Sequence, residues 1–534
     1  MLKKLQDRLR PLANLTHSAL LNISNRKNEN ELAIRLAHIP ISNPHPSMVK
    51  RPLFDGHFYN AGYWYRLQLL RSAIGSLGQD EQAFIWKYNQ EKCRSTLQQL
   101  GIMKVASLYD AGPRSLRSDA RRLAGMVGRA EDVLDLRLPH DIPPSFLYDA
   151  ILKRQETASV NGADPLIEKD IHELLISIAA AEAMIESHDP DLIAMSHAIN
   201  SQCVPMAWLG AKHGIPVITL FGNYGVPRFW RMDRPEEIFE STDCPRRHDL
   251  DALAEPQANA LADVGRQYLA LRTAGKSNDL GGRMAFSGTA KPGSLQTTED
   301  NRPVVAVYAS NWFDFPHALG MSRFRDFLDW IESTLQVALA TPSVRWLFRA
   351  HPCDQWYGGM TLKDAMPAQL PEHVSLVPDD WPGSLMMDTA DAVVTYHGTA
   401  AIEYAAQGKP VLIPDRGWYH DCGFALFPDS REHYLELLGS EWFNRVDLES
   451  AKRRAEIFAG WYFCVPGWQA DMVMPDDSDR ISQKKHMVHL IEEQADCVQR
   501  DVGLIREWML TGEHGYHTFK MKLAADYSLS NVSN

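Results

Sequence analysis

Residues Val393–Leu412, VVTYHGTAAIEYAAQGKPVL, place a compact polar turn, His397-Gly398-Thr399, between a short apolar run and a stretch of helix formers that Gly408 stops. The pattern predicts strand, turn, a helix over Ala400–Gln407, then a second strand at Val411–Ile413. Such a helix aims its unpaired N–H groups past the strand end, which suits a phosphate or carboxylate, with Glu403 one turn inside. A second segment, VRWLFRAHP at Val344–Pro352, ends in the same way: Arg349 and His351 stand two apart and so share one face of a strand. Arg349, His351, His397 and the amides from Thr399 onward are therefore candidates for holding an anionic, nucleotide-linked ligand. Gly398 permits close backbone approach, and Glu403 is placed to accept from ribose or base hydroxyls. Each has a plainer reading: a turn set by Pro352 for His351, turn packing for His397 and a surface pair for Glu403.

A second group of candidates lies nearer the N-terminus. Asp149 follows an aromatic, strand-like stretch and precedes Lys153 and Arg154; it reads as a base or nucleophile, with helix capping the main competitor. His197 follows LIAMS at a strand end and is a second base candidate, unless a backbone carbonyl satisfies it. Asn223, with the Gly222 and Gly225 turn, is placed to recognise acceptor or sugar hydroxyls. Arg228 and Arg231 are candidates for a sugar carboxylate or for surface salt bridges. There is no clear carboxylate-x-carboxylate metal motif in the place a donor site would put it, and the seven cysteines show neither metal spacing nor a disulfide framework, so no metal is expected.

Elements that position these residues recur along the chain. A strand at 104–110, a helix near 117–129, a short apolar run at 132–136, helix 170–187, strand 192–195, helix 203–213 and strand 215–220 give a βαβ rhythm. A second series follows: strand 304–308, helix 323–339, strands 344–348, 374–377 and 392–395, helix 400–407 and strand 411–413. The fold class expected is α/β, with two doubly wound Rossmann-like domains facing across a cleft and peripheral helices. The expected divisions are a leader and peripheral elements at 1–99, including a helix over Asp80–Leu100, and an acceptor-side domain at 100–290. A Gly/Ser/Thr-rich boundary within Glu255–Asp300 precedes a donor-binding domain at 300–445, and a helical tail occupies 446–534. Aromatics in Gly460–Gln469 are expected to pack the tail against a domain rather than to stack on ligand.

With 534 residues, 45% of them hydrophobic, the chain has material for at least two cores. A formal charge of −12 argues against a general nucleic-acid surface. No apolar stretch reaches the length of a membrane span. The basic N-terminal segment, MLKKLQDRLRPLANLTHSALLNI, reads as a solvated docking helix in preference to one resting on an anionic membrane. Scattered cysteines fit a reducing cytoplasm.

Gly398…Glu403…Gly408-Lys409-Pro410-Val411 resembles the donor-binding strand–helix–strand of GT-B glycosyltransferases, and Thr395–Leu438 is similar to the capsule-polysaccharide-biosynthesis group of bacterial surface-glycan enzymes. Supporting segments occur in that group's order: SFLYDAILKR, MSHAIN, LFGNYGVPRFWR, NWFDFPHALGMSRFRDFLDWIEST and WLFRAHP. The turn departs from the group's common Tyr-Arg-Gly-Thr, having His397 for arginine, and the Gly-Asp pair that often precedes Tyr-Asp is missing before Tyr148-Asp149. The resemblance implies sugar transfer without a separate cofactor, from a nucleotide sugar such as CMP-linked 3-deoxy-manno-oct-2-ulosonic acid to a growing capsule or lipopolysaccharide glycan or glycolipid. It further implies a cytoplasmic enzyme at the inner-membrane face, associating peripherally with that membrane or a biosynthetic complex. A nucleotide-sugar hydrolase or epimerase, and a noncatalytic polysaccharide-assembly adaptor, are the alternatives.

Overall fold

The structure is a computed structural model. It describes residues 49–529 except 59, 76–79, 88, 89, 112, 224, 225, 241, 278, 289–300, 353, 355–358 and 473–479, and, nearer the start, 32, 34–37 and 39. The basic N-terminal segment and most of the 289–300 boundary stretch lie outside the described residues.

Two separate sheets organise the chain. The first has the order β3-β2-β1-β4-β5-β6, formed by Pro52–Asp55 (β1), Gln82–Ile85 (β2), Lys104–Ser107 (β3), Leu192–Met195 (β4), Val217–Asn223 (β5) and Val226–Met232 (β6). All pairs are parallel except the β5–β6 hairpin. The second is wholly parallel in the order β11-β10-β7-β8-β9, from Val304–Tyr308 (β7), Arg345–Arg349 (β8), Val374–Leu376 (β9), Ala392–Thr395 (β10) and Val411–Leu412 (β11). The central strands β1, β4 and β10 are buried at every residue. Covering a sheet on both faces requires such largely apolar runs, here ended by Asp55 in β1 and Thr395 in β10.

The helices used below are Ala61–Ile74 (α1), Ser145–Gln155 (α2), Ile167–His188 (α3), Val204–Lys212 (α4), Glu255–Thr273 (α5), Leu280–Phe286 (α6), Phe327–Ala340 (α7), Ala400–Ala406 (α8), Leu448–Phe463 (α9), Ala495–Met509 (α10) and Tyr516–Leu523 (α11). Their starts follow ordinary capping: Asn60 accepts from the Tyr63 amide, Asp326 from that of Asp329 and Asp447 from that of Ser450. Gly408, at φ +71°, ends the turn after α8 where a side chain would be strained.

Several expectations need correction. The segment 1–99 is not peripheral, because it supplies β1 and β2, with β1 at the middle of the first sheet. Asp80–Leu100 is a strand followed by a helix at Glu91–Gln99, and the apolar run at 132–136 overlaps a helix at Ala130–Leu134 rather than a strand. Apolar runs this short carry no period that separates helix from strand. Much of the expected boundary is the 19-residue helix α5, whose alanines and leucines favour helix over linker. Its contact with α9 is close enough to need glycine: a methyl on Gly265 would lie 2.0 Å from the Glu456 carbonyl oxygen, and one on Gly460 2.0 Å from that of Leu261. Trp461, Tyr462 and Phe463 are buried, with Phe463 stacked on Tyr268.

The tail also differs from a peripheral appendage. Helix α10 packs on α1 and α11 on β6. Trp508 and Tyr516 join Phe229 in the core of the first unit, and Arg506 donates to the Ala73 carbonyl at 3.0 Å. Beneath them Asp501 accepts from Gln469 at 2.8 Å and from the Tyr516 hydroxyl, and lies 3.6 Å from the Lys520 ammonium.

Candidate functional site

Strand order in the second sheet reverses between β7 and β10, and loops leaving such a pair of strand ends commonly form a binding crevice. Here they are the long loop 309–326 and the turn 396–399. Asp415, just beyond β11, fixes both: its carboxylate accepts from the amides of Ser322 (2.6 Å), Arg323 (2.7 Å) and Arg416 (2.7 Å), and from the hydroxyls of Ser322 (2.8 Å) and Tyr396 (2.7 Å). The resulting cleft, of about 1000 Å³, takes Glu131, Glu240 and Arg246 from the first unit and His317, Arg416 and Trp418 from the second.

His317 comes to this cleft through Asp149. The sequence suggested a strand and turn around Asp149, but it lies inside α2, fully buried. Its Oδ1 stands 2.6 Å from His317 Nδ1, and its Oδ2 accepts from the backbone amides of His317 (3.0 Å) and Ala318 (3.1 Å). A carboxylate takes the proton-bearing nitrogen, so Nε2 is the nitrogen left to accept a proton. Asp149 thus orients His317 and is absent from the cleft wall. Two residues before His317, Phe315 holds φ +54°, a conformation that costs a bulky residue about 1–3 kcal/mol and persists where the surroundings enforce it. The same helix is pinned by the Tyr148 hydroxyl donating to Asp326 at 2.5 Å and, nearby, Arg325 pairing with Glu131.

The expected donor residues gather on neighbouring strand ends. Arg349 ends β8; its Nη2 donates to the Ala285 carbonyl of α6 at 3.1 Å, while buried Nη1 has no hydrogen-bond partner among the described residues. Its guanidinium lies 5.7 Å from the ring centre of Tyr308, on β7 between the two loops. His351 follows, its imidazole pushed by burial toward the neutral form. His397 ends the β10 turn and its Nε2 lies 2.8 Å from the Arg416 carbonyl oxygen. A carbonyl only accepts, so Nε2 carries the proton and Nδ1, without a partner among the described residues, is a lone-pair acceptor. Burial pulls the His397 pKa down to about 4. The ring therefore carries a neutral, buried acceptor rather than a positive charge, which suits a ligand hydroxyl or amino group better than a phosphate.

Gly398 is required by space, since a methyl there would meet Thr395 Oγ1 at 2.7 Å. Glu403 was expected to meet a ligand hydroxyl; it is instead 6% exposed and accepts from Arg272 Nε at 2.7 Å, while Arg272 Nη2 donates to Thr399 Oγ1 at 3.0 Å. Arg272 also pairs with Asp279, which accepts the Gly282 amide at 2.7 Å and the Ser277 hydroxyl at 2.8 Å. Burial alone would raise the Asp279 pKa, but Arg272 and these donors hold it below the usual carboxylate range. The end of α5 thereby locks the turn and α8 together.

None of these strand-end residues lines the cleft, and neither do the first-unit candidates. His197 lies beyond β4 with its ring edge-on to Phe58 at 4.3 Å, and burial lowers its pKa. Gly222 pairs with Pro227 in the β5–β6 hairpin, where a methyl would meet the Arg66 guanidinium at 2.4 Å. Asn223 ends β5 opposite Val226; Gly225 lies outside the described residues. Arg228 and Arg231 meet protein groups and not a sugar carboxylate, Arg231 through the surface salt bridge that was its alternative reading. Arg228 is buried in β6, donating to the carbonyls of Asp243 (3.2 Å) and Tyr462 and stacking on the Tyr462 ring at 4.2 Å. Arg231 pairs with Asp233 at 2.9 Å, and its amide donates to the His514 carbonyl at 2.8 Å. The tail covers this edge strand, so both arginines serve its attachment.

His317 and Asp415 were missed by the sequence reading. Asp415 had a local signal, the Pro-Asp step directly after a strand; His317 had none apart from its place in FPHALG.

A pH effect follows from His397. Its folded pKa of about 4 lies below the unfolded value of about 6.5, so the unfolded chain binds more protons between them. This contribution to stability is complete above about 6.5 and is lost as pH falls toward 4. Thermal midpoints measured at pH 7 and 4.5 should differ less in His397→Gln than in the parent; equal differences would remove His397 as a source of acid sensitivity.

No family model and no curated protein matches the chain. Among solved structures it is similar to KpsC of Thermosulfurimonas dismutans, a beta Kdo 2,4 transferase, with 14% identity over 50% of this chain and 78% of that one, at a TM-score of 0.32. It is also similar to the glycosyltransferase SnogD of Streptomyces nogalater (13%, 78% and 94%, 0.22) and to the UDP-GlcNAc 2-epimerase of Neisseria meningitidis bound to UDP-GlcNAc (13%, 77% and 96%, 0.26). The two doubly wound units rest on the strand order and connectivity described above, independently of these likenesses.

Proposed function

We propose that the protein transfers a sugar from a nucleotide-activated donor to a hydroxyl of a capsule or lipopolysaccharide glycan. The observation that carries this reading is the imidazole of His317, oriented by buried Asp149, in a cleft between two doubly wound units. His317 Nε2 accepts the acceptor hydroxyl proton as oxygen attacks the anomeric carbon and the bond to the leaving phosphate breaks. Arg416, exposed on the cleft wall, supplies positive charge for that phosphate. Arg349 Nη1 and His397 Nδ1 hold the nucleotide end, one as donor and one as acceptor. The sequence resemblance makes CMP-linked 3-deoxy-manno-oct-2-ulosonic acid the first donor to test.

A panel of CMP-, UDP-, dTDP- and GDP-sugars incubated with acceptor glycans, following both nucleotide release and sugar incorporation, tests the reading. Incorporation supports transfer. Nucleotide release without incorporation indicates hydrolysis, interconversion of the donor indicates epimerisation, and glycan binding without turnover indicates an assembly adaptor. Calorimetry with CMP should show weaker binding in His397→Ala by more than about 1 kcal/mol, the scale of one lost hydrogen bond. Equal affinities would remove His397 from the nucleotide site.

A further inference from the structure

Strand order in the first sheet reverses between β1 and β4, and three side chains of metal-binding type converge there. They are Asp55 at the end of β1, His57 two residues later, and Cys203 immediately before α4. One donor atom from each lies within 4.8 Å of the other two. Asp55 and Cys203 are fully buried, and His57 is 8% exposed. The carboxylate is held in place: Asp55 Oδ1 accepts the His57 amide at 2.8 Å and lies 3.0 Å from His57 Nδ1, and Oδ2 accepts the Ser196 hydroxyl at 2.7 Å. His57 Nε2 is buried and has no hydrogen-bond partner among the described residues. The Phe84 and Trp86 rings lie 6.0 and 6.2 Å from that of His57, and a buried polar atom left without a partner costs about 1–3 kcal/mol. None of the three residues lines the inter-domain cleft.

We propose that Asp55, His57 and Cys203 form a binding site for a divalent ion of the Zn²⁺ type. A thiolate beside an imidazole and a carboxylate selects borderline-soft ions, whereas Mg²⁺ and Ca²⁺ take oxygen ligands. Tetrahedral Zn²⁺, with bonds of about 2.0–2.3 Å, separates its ligand atoms by about 3.3–3.8 Å, inside the 4.8 Å within which the three donor atoms lie. Three protein ligands leave one position open. His197 follows Ser196, which donates to Asp55, and its Nδ1 too lacks a partner among the described residues. Spacing of the cysteines gave no sign of this site because its one cysteine lies far along the chain from Asp55 and His57 and meets them only at the switch point.

The full chain, freed of metal by chelation, is to be titrated with Co²⁺ alone and then with Zn²⁺. The expected result is one ion retained per chain after dialysis, with a thiolate-to-Co²⁺ charge-transfer band that Zn²⁺ abolishes. Cys203→Ser should remove the band, His57→Gln should weaken binding by at least about 100-fold, and Cys464→Ser, at the end of α9, should change neither. Failure of the parent protein to retain one ion, or a band that persists in Cys203→Ser, would overturn the site. A band lost only in Cys93→Ser, whose thiol lies 3.7 Å from the His57 carbonyl oxygen, would overturn Cys203 as ligand. If Cys203→Ser does not fold, parent stoichiometry and His57→Gln decide.

Discussion

His317→Ala is expected to lower sugar-transfer turnover by about 100-fold or more while leaving donor affinity near that of the parent, the usual scale for losing an acid–base group. The imidazole lines the cleft, its Nδ1 is taken by Asp149, and no other described cleft residue has this pairing. Added imidazole should restore part of the rate in the alanine variant, since a cleft of about 1000 Å³ admits it. Asp149→Asn should lower turnover with little change in KM, because it disturbs a tautomer and an orientation rather than a ligand contact. Turnover near the parent value in a folded His317→Ala protein would reject the assignment and turn attention to a cleft carboxylate such as Glu131 or Glu240.

Arg272→Ala should destabilise the protein by about 3–5 kcal/mol, since it removes one cation from between two buried carboxylates. Arg272 is 2% exposed, and no described cation is seen to replace it at Asp279 or Glu403. Without that cation the folded state favours protonated carboxyls, so the loss measured by denaturant should be larger at pH 8 than at pH 5. Adding Glu403→Gln and Asp279→Asn should recover part of it. A loss below about 1 kcal/mol at pH 8 would show that water or rearranged donors satisfy the two acids. The variant should also loosen Thr399 and, through it, the turn that carries His397.

The parts of this arrangement legible in the sequence are those written within one βα unit. The apolar run, turn and helix around His397, and the strand ending in Arg349, are short-range patterns, and the structure has β10, α8 and β8 there. Illegible were pairings that only the fold creates. Asp149 and His317 lie 168 positions apart, and Arg272 and Glu403 131. Nothing in a local period ties either pair together, so Asp149 looked like a free acid and Glu403 like a ligand contact. The strand Pro52–Asp55 was obscured differently: four residues followed by Gly-His cannot display alternation, and only pairing with β2 and β4 shows it to be central.

The dependence of the first unit on α10 and α11 bears on how the chain is made. Strand β6 is complete at Met232, but its covering helix begins at Tyr516, about 280 residues later. At about 5–20 residues per second, a ribosome needs roughly 15–60 s to cover that interval. During it the second sheet can pair in full, whereas Trp64, Tyr65 and Phe229 await Trp508 and Tyr516 with their apolar faces uncovered. The later-synthesised unit is thus free to mature before the earlier one, which keeps an uncovered apolar face until α10 and α11 have been made.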